Sequence, residues 1–328
     1  MRRHALDWRP GAGIGVLRAR AEMLGRLRGF FAERRVLEVE TPLLSSCFGT
    51  EPSIEPLQSE FVGPGYASGR RLYLQSSPEF FMKRLLADGS GPIYQVCKAF
   101  RNGEAGRLHN PEFSILEWYR PDFAADQLMQ ELAELVQLLL GQDDLPVEFR
   151  PYAQLFEEVL GLDVFSAQAE QLRACACERN LLGAEQLQLD RDGWLNLLMS
   201  TLIEAELGRD GLCFVTDYPA SQASLARINA YDTRTAKRFE LYYRGVELAN
   251  GFEELVDATE QAERFEHENC TRRGRGQQPM PVDEALLGAL EAGLPACSGV
   301  ALGLDRLLMC ALELDDIDQV LAFSLARI

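Results

Sequence analysis

Phe100-Arg-Asn-Gly-Glu-Ala-Gly-Arg-Leu-His-Asn-Pro-Glu-Phe-Ser-Ile-Leu-Glu-Trp-Tyr-Arg120 reads as two strands around a polar loop. Ile93 to Arg101 is apolar and rich in strand formers. Asn102 to Pro111 holds two Gly, two Asn and a Pro, the composition of a loop. From Glu112 to Tyr119 the pattern is that of a strand again. Strand side chains alternate between faces, so Phe113, Ile115, Glu117 and Tyr119 share one side and Glu112, Ser114, Leu116 and Trp118 the other. One face thus offers an aromatic plane, an anion and a phenol, with Arg101, Arg107 and His109 at the hairpin mouth. An aromatic ring beside a fixed guanidinium suits a nucleotide: the ring stacks on the base and the Arg takes a phosphate.

Outward from this hairpin, the chain gives three further elements with chemistry. Leu72 to Gln75 is a short strand, and Ser76-Ser-Pro-Glu79 turns it into a helix from Phe80 to Leu86, with Glu79 suited to the helix dipole. Phe239 to Tyr243 and Val246 to Ala249 flank Arg244-Gly245 as a hairpin. In a regular second strand Glu247 and Glu254 face opposite sides; a bulge at Asn250-Gly251 would turn both inward, where two carboxylates can hold Mg²⁺ or a cationic substrate. Cys297 to Leu312 combines Gly299 and Gly303, which let backbone approach a ligand, with Arg306 at the start of an apolar helix. An Arg there opposes the dipole, so it is expected to meet an anion.

The remaining segments read as scaffold. Leu17, Ala21, Leu24, Leu27 and Phe31 follow a helical period. Arg35 to Leu44 is a strand ending at a Pro, Pro42, which lacks an N–H and fits a strand edge or a chain crossing. Leu128 to Leu139, Leu155 to Leu160, Gln171 to Cys177 and Trp194 to Leu207 are helices in an insertion over about 125–210. Leu212 to Thr216 is a strand followed by the polar turn Pro219 to Ser224. Glu260 to Arg275 is a charged helix whose end, Arg272, Arg273 and Arg275, is expected in water.

The 328 residues are 47% hydrophobic and 25% charged, ordinary globular composition. A formal charge of −17 argues against broad electrostatic binding of nucleic acid. Eight scattered Cys with no CxxC, and only three His, argue against zinc and fit reduced thiols in a cytoplasmic protein. No stretch approaches the roughly 20 apolar residues of a membrane span.

The string FRN…RLHNPEFSILEWY resembles motif 2 of the class II aminoacyl-tRNA synthetases, in the lysyl branch. Arg35 to Leu44 resembles motif 1, with Pro42 as its proline, and CSGVALGLDRL resembles motif 3. The resemblance runs from about Leu17 to the C-terminus. It implies an α+β fold: an antiparallel sheet flanked by helices, with a helical insertion between motifs 2 and 3, dimeric through the motif 1 region. About fifteen residues precede the first helix, too few for the OB-fold anticodon-binding domain of lysyl-type enzymes. The expectation is therefore one catalytic domain over 1–328 and no tRNA acceptor.

A stand-alone lysyl-type domain, with SSPEF, YPASQASLARI and ELANGFEEL in addition, closely resembles the elongation factor P lysine ligase family. That implies activation of (R)-β-lysine or lysine by ATP with Mg²⁺, and transfer to a lysine of elongation factor P. Residue by residue, it implies substrate contacts at Ser77, Pro78, Glu79, Glu117, Tyr119 and Glu254. ATP contacts are implied at Arg101, Asn102, Gly103, His109, Asn110, Glu247, Leu248 and Gly303. Phe113 would stack on adenine, Arg306 would meet the γ-phosphate, and Glu247 with Glu254 would hold the metal. One departure stands out: Gly103 occupies the position of the class II motif 2 Glu, and Glu104 follows it. Ala301 replaces the middle Gly of a Gly-Φ-Gly-Φ-Gly pattern, Φ being apolar; its methyl would face the substrate's α-amino position and favour a β-amine. Two other readings stay open, a truncated synthetase-like small-molecule ligase and a non-catalytic regulatory subunit. The presence of Arg101, Glu247, Glu254 and Arg306 counts against the last.

Overall fold

A computed structural model describes residues 8–328. Its strands are β1 (Leu37–Glu38), β2 (Leu44–Ser45), β3 (Leu57–Gly63), β4 (Tyr66–Leu74), β5 (Ile93–Phe100), β6 (Glu112–Pro121), β7 (Val147–Pro151), β8 (Leu212–Pro219), β9 (Thr235–Tyr243), β10 (Val246–Glu253) and β11 (Cys297–Gly303). Its α-helices are α1 (Ile14–Glu33), α2 (Glu79–Ala87), α3 (Ala125–Leu140), α4 (Tyr152–Leu160), α5 (Ala169–Glu178), α6 (Arg191–Leu198), α7 (Ala258–Gly274), α8 (Glu284–Gly293) and α9 (Leu304–Ala311).

Eight strands form one sheet in the order β1-β5-β6-β11-β10-β9-β8-β7. The six central strands are antiparallel, and the edge strands β1 and β7 pair in parallel with β5 and β8. The alternation expected of β6 decides what each face does. Leu116 and Trp118 point into the main core with Leu27 and Phe31 of α1, Leu128 and Leu132 of α3 and Leu307 of α9. The opposite face carries Ile115, Glu117 and Tyr119 into open space under α2, α7 and the small sheet β2-β4-β3. A second core joins α4, α5 and α6 to the far end of the sheet through Trp194, Phe156 and Cys213.

Several expectations need revision. The helix near the N-terminus buries Met23, Leu27, Phe30 and Phe31, so Ala21 lies off its buried face. Arg35 to Leu44 is not a continuous strand: Arg35 has φ 55°, and only Leu37–Glu38 and Leu44–Ser45 pair. Pro42 cannot donate to a ladder, which accounts for the gap. The insertion is not wholly helical, because Val147–Pro151 joins the large sheet. The bulge in β10 lies between Glu247 and Ala249, not at Asn250-Gly251. It turns Leu248 and Ala249 into the core together and leaves Glu247 on the face of Asn250 and Glu254. Arg244 and Gly245, with φ 52° and 72°, form the tight turn the hairpin requires.

Arg272 is also not in water. It is fully buried, and its guanidinium donates to the carbonyls of Glu51, Ile54 and Gln278 and to Glu55 Oε1 at 2.8–3.2 Å. Burying an Arg is tolerable only with this many partners. Among the described residues no helix is long and apolar enough to cross a membrane.

Candidate active site

Two cavities meet over the open face of the sheet. The first is floored by Glu117, Tyr119 and Gly299 and walled by Ser77 and Glu79 at the start of α2 and by Glu254 at the end of β10. The second holds Phe113, His109, Glu247, Gly303 and Arg306. Arg101, Ile115, Asn250 and Ala301 line both and mark the junction.

The first cavity is built around a cation that sequence reasoning did not single out. Lys83 is fully buried, and its Nζ lies 2.6 Å from both Glu79 Oε1 and Glu254 Oε2. Its signal was readable as an i,i+4 Glu–Lys pair on α2. The two carboxylates hold Lys83 charged and push its pKa above the ordinary lysine range against the pull of burial. Ser77 Oγ accepts from the Glu79 amide at 3.0 Å and shapes the first turn, which Pro78 begins. Glu117 accepts from the Tyr119 hydroxyl at 3.2 Å. Burial pushes Glu117 up to about 8, with the neighbouring Glu79 adding to the push. Burial likewise pushes Glu254 up to about 7, with Lys83 pulling the other way. Glu117 Oε1, Glu254 Oε1 and Asn250 Oδ1 are buried without a hydrogen-bond donor among the described residues. Around Lys83 the acids outnumber the one cation, and these acceptors are left without a donor beside the cavity.

Gly299 has a different role from the one its residue type alone indicates. A Cβ there would lie 2.3 Å from Tyr119 Cε1 and 2.5 Å from Glu254 Oε1, so the missing side chain lets two neighbours pack over the strand. Gly303 does leave open room, its nearest neighbour for a Cβ being 3.6 Å away. Ala301 sits opposite Glu117 and Asn250 in the ladder, at the junction of the cavities.

In the second cavity Arg101 stacks over Phe113 at 5.3 Å and lies 3.8 Å from Glu104. Its Nε is buried without an acceptor among the described residues. Arg306 donates to Glu247 O and Oε2 at 2.9 and 3.1 Å and to Leu108 O at 3.2 Å. It also reaches His109 Nε2 at 2.6 Å. Burial, with Arg306 beside it, lowers the His109 pKa, which leaves a neutral ring to accept that bond. Leu248 is a core side chain, so only its backbone is on offer.

Not every expected contact is brought to a cavity. Asn102 and Gly103 lie on the exposed outside of the loop, where Asn102 pairs with Glu55 and Gly103 takes φ 82°. Asn110 lines the second cavity, but its amide is spent on Glu112 O and the Leu325 amide at 2.7 and 2.9 Å. Glu254 is paired with Lys83 and lines the first cavity, whereas Glu247 lines the second. Among the described residues no group of three or more His, Cys, Asp or Glu is arranged to hold a metal. Glu240 is one of the carboxylates that line the second cavity with Glu247, held by the hydroxyls of Tyr218 and Tyr242 and by Arg238 at 2.5–2.6 Å. Two oxygen-only ligands of this kind suit Mg²⁺, which keeps several waters and binds phosphate alongside one or two carboxylates.

A family model described as tRNA synthetases class II (D, K and N) matches residues 1–327. The chain belongs to this family. Among class II proteins it is 51% identical over 318 residues to an elongation factor P–(R)-β-lysine ligase of Photobacterium profundum, covering 97% of this chain and 98% of the relative. It is 52% identical over 320 residues to the same-named protein of Pseudoalteromonas translucida, covering 98% of each chain. A Salmonella paratyphi B relative of that name is 49% identical over 320 residues. The class II membership accounts for the six-stranded antiparallel centre of the sheet and for the order of the three motifs along it.

Proposed function

We propose that this protein is an ATP-dependent ligase that activates (R)-β-lysine, or lysine, as its adenylate and transfers it to the ε-amine of a lysine on elongation factor P. The observation that carries this reading is the charge of the first cavity. Glu79, Glu117 and Glu254 outnumber Lys83 there, and a surplus of acids complements an amino acid with two ammonium groups, whose binding favours their ionised forms. The names of the relatives support the same substrates and a protein acceptor rather than tRNA.

The substrate carboxylate would lie at the junction and attack the α-phosphorus of ATP, with pyrophosphate leaving. Arg101 would hold the α-phosphate, Phe113 would stack on adenine, and Arg306 would turn from Glu247 to the γ-phosphate. Charge grows on the phosphates, so catalysis is positioning and charge stabilisation. Glu247 and Glu240 would hold Mg²⁺, which when bound neutralises phosphate charge. Exposed Leu43 and Leu44 beside Pro42 support a homodimer through this region.

ATP–pyrophosphate exchange over a panel of amino acids, followed by mass analysis of elongation factor P, tests the reading. We expect exchange with β-lysine above all others and a mass gain on the factor. Arg101→Ala should lower exchange about a hundredfold or more, the cost of a lost charged contact in a dry site. Charging of tRNA without protein labelling would overturn the assignment.

A further inference from the structure

The transfer step needs a base, and the sequence names none. The acceptor ε-ammonium starts near pKa 10.4 and must lose a proton before its nitrogen can attack. Most carboxylates lining the first cavity are committed. Glu79 and Glu254 hold Lys83, Glu117 faces the substrate amines, and Asp283 caps α8 through the amides of Ala285 and Leu286. Two are held differently, by hydroxyls: Glu51 by Ser53 and Glu268 on α7 by Thr50, and of these Glu268 stands on a helix fixed on both sides of it. A hydroxyl donates to a carboxylate and accepts from a carboxylic acid, so Glu268 keeps a partner in both protonation states.

Its position follows from α7. Residues 264, 268 and 272 stand four apart on one face of the helix. Arg264 donates to Ser224 O and Ala226 O at 2.8 Å. Arg272 donates to Glu51 O and Ile54 O at 2.9 and 3.2 Å. Ser224, Glu51 and Ile54 each line both cavities. The helix is therefore clamped on either side of Glu268 to the two segments that roof the junction, and Glu268 itself lines the first cavity.

On the reading given above, which this inference presupposes, we propose that Glu268 is the base that takes a proton from the acceptor lysine before it attacks the acyl-adenylate. The ammonium gives one proton to the Glu268 carboxylate. The free amine attacks the acyl carbon, the C–N bond forms, and the bond from that carbon to the phosphate oxygen breaks. AMP leaves with the electron pair, and the second nitrogen proton departs to water. Burial places the Glu268 carboxyl at about 7, with Glu51 raising it and Thr50, Arg264 and Arg272 lowering it. Asp283 lines the same cavity. A base with that pKa is about half ionised at neutral pH and a stronger proton acceptor than an ordinary carboxylate.

The two half-reactions separate this role from others. In Glu268→Gln, exchange with β-lysine should stay within about twofold of wild type, while single-turnover transfer to elongation factor P falls roughly 10²–10⁴-fold. The wild-type transfer rate should rise as pH increases through about 7. Glu268→Gln should lose that rise, and Glu268→Asp should keep it. Hydroxylamine, a free base at neutral pH, should trap the adenylate equally well on wild type and Glu268→Gln. Equal losses of exchange and transfer in Glu268→Gln would reduce Glu268 to a structural residue, and unchanged transfer would place the base elsewhere. Wild-type protein that exchanges but labels no factor would sink the ligase reading itself, a separate result.

Discussion

Glu117 and Glu254 are acids buried beside a lysine, and what enters the cavity sets their ionisation. In the ligand-free protein they protonate below about 8 and about 7. A dicationic substrate binds their charged forms, so its affinity is full above these values and weakens as pH falls through them. The KM for β-lysine in the exchange reaction should therefore drop about tenfold or more between pH 6.5 and 8.5. Glu117→Gln should raise KM at pH 8.5 and flatten most of this dependence. A KM independent of pH in wild type would show that these carboxylates do not meet the amines. At this scale the sequence was informative where a residue's role follows from its strand position, as with Glu117 and Tyr119. It did not single out Lys83 or Glu268, because an i,i+4 pair, though readable, and a helix Glu are ordinary surface features until the fold buries them.

The motif 3 strand, β11, carries two tests of opposite sign. Gly299→Ala places a methyl against the Tyr119 ring and Glu254, both held by the floor of the cavity. We expect about 1–3 kcal/mol of destabilisation, seen in thermal melts, with loss of amino-acid activation. Ala301→Gly removes a methyl at the junction and should shift preference toward α-lysine by about 1–3 kcal/mol, read as the ratio of exchange rates. No movement in that ratio would put selectivity in Ser77 or the Ser221–Ser224 turn. The motif 2 hairpin was legible to within two residues because its apolar alternation and turn composition agree. The bulge in β10 was expected from the odd spacing of Glu247 and Glu254, but its site was misjudged. Asn-Gly signals a local turn, whereas the observed kink follows from Leu248 and Ala249 both entering the core.

Over the whole molecule, the edge strand β1 pairs only with β5, and Leu37, Leu43 and Leu44 are 56%, 37% and 45% exposed. An unpaired edge with apolar neighbours invites a partner. Sedimentation should give a dimer for wild type and a monomer for the double variant Leu43→Glu, Leu44→Glu; a monomeric wild type would refute the interface. The class II architecture was readable from three motifs in order, since each fixes a strand or hairpin of the central sheet. The edge strand β7 and the strand β3 of the small sheet were missed and β4 was seen only at its end, and the burial of Arg272 was missed too. All three depend on contacts between segments far apart in sequence, which no local pattern encodes.

Lys83 gives the substrate cavity a built-in counterion, and selectivity there becomes a matter of charge balance. Replacing one acid by its amide reduces the surplus over Lys83 and moves the match toward an amino acid with one amine and a neutral side chain. Retargeting this scaffold is therefore a question of charge parity first, with cavity shape refined afterwards.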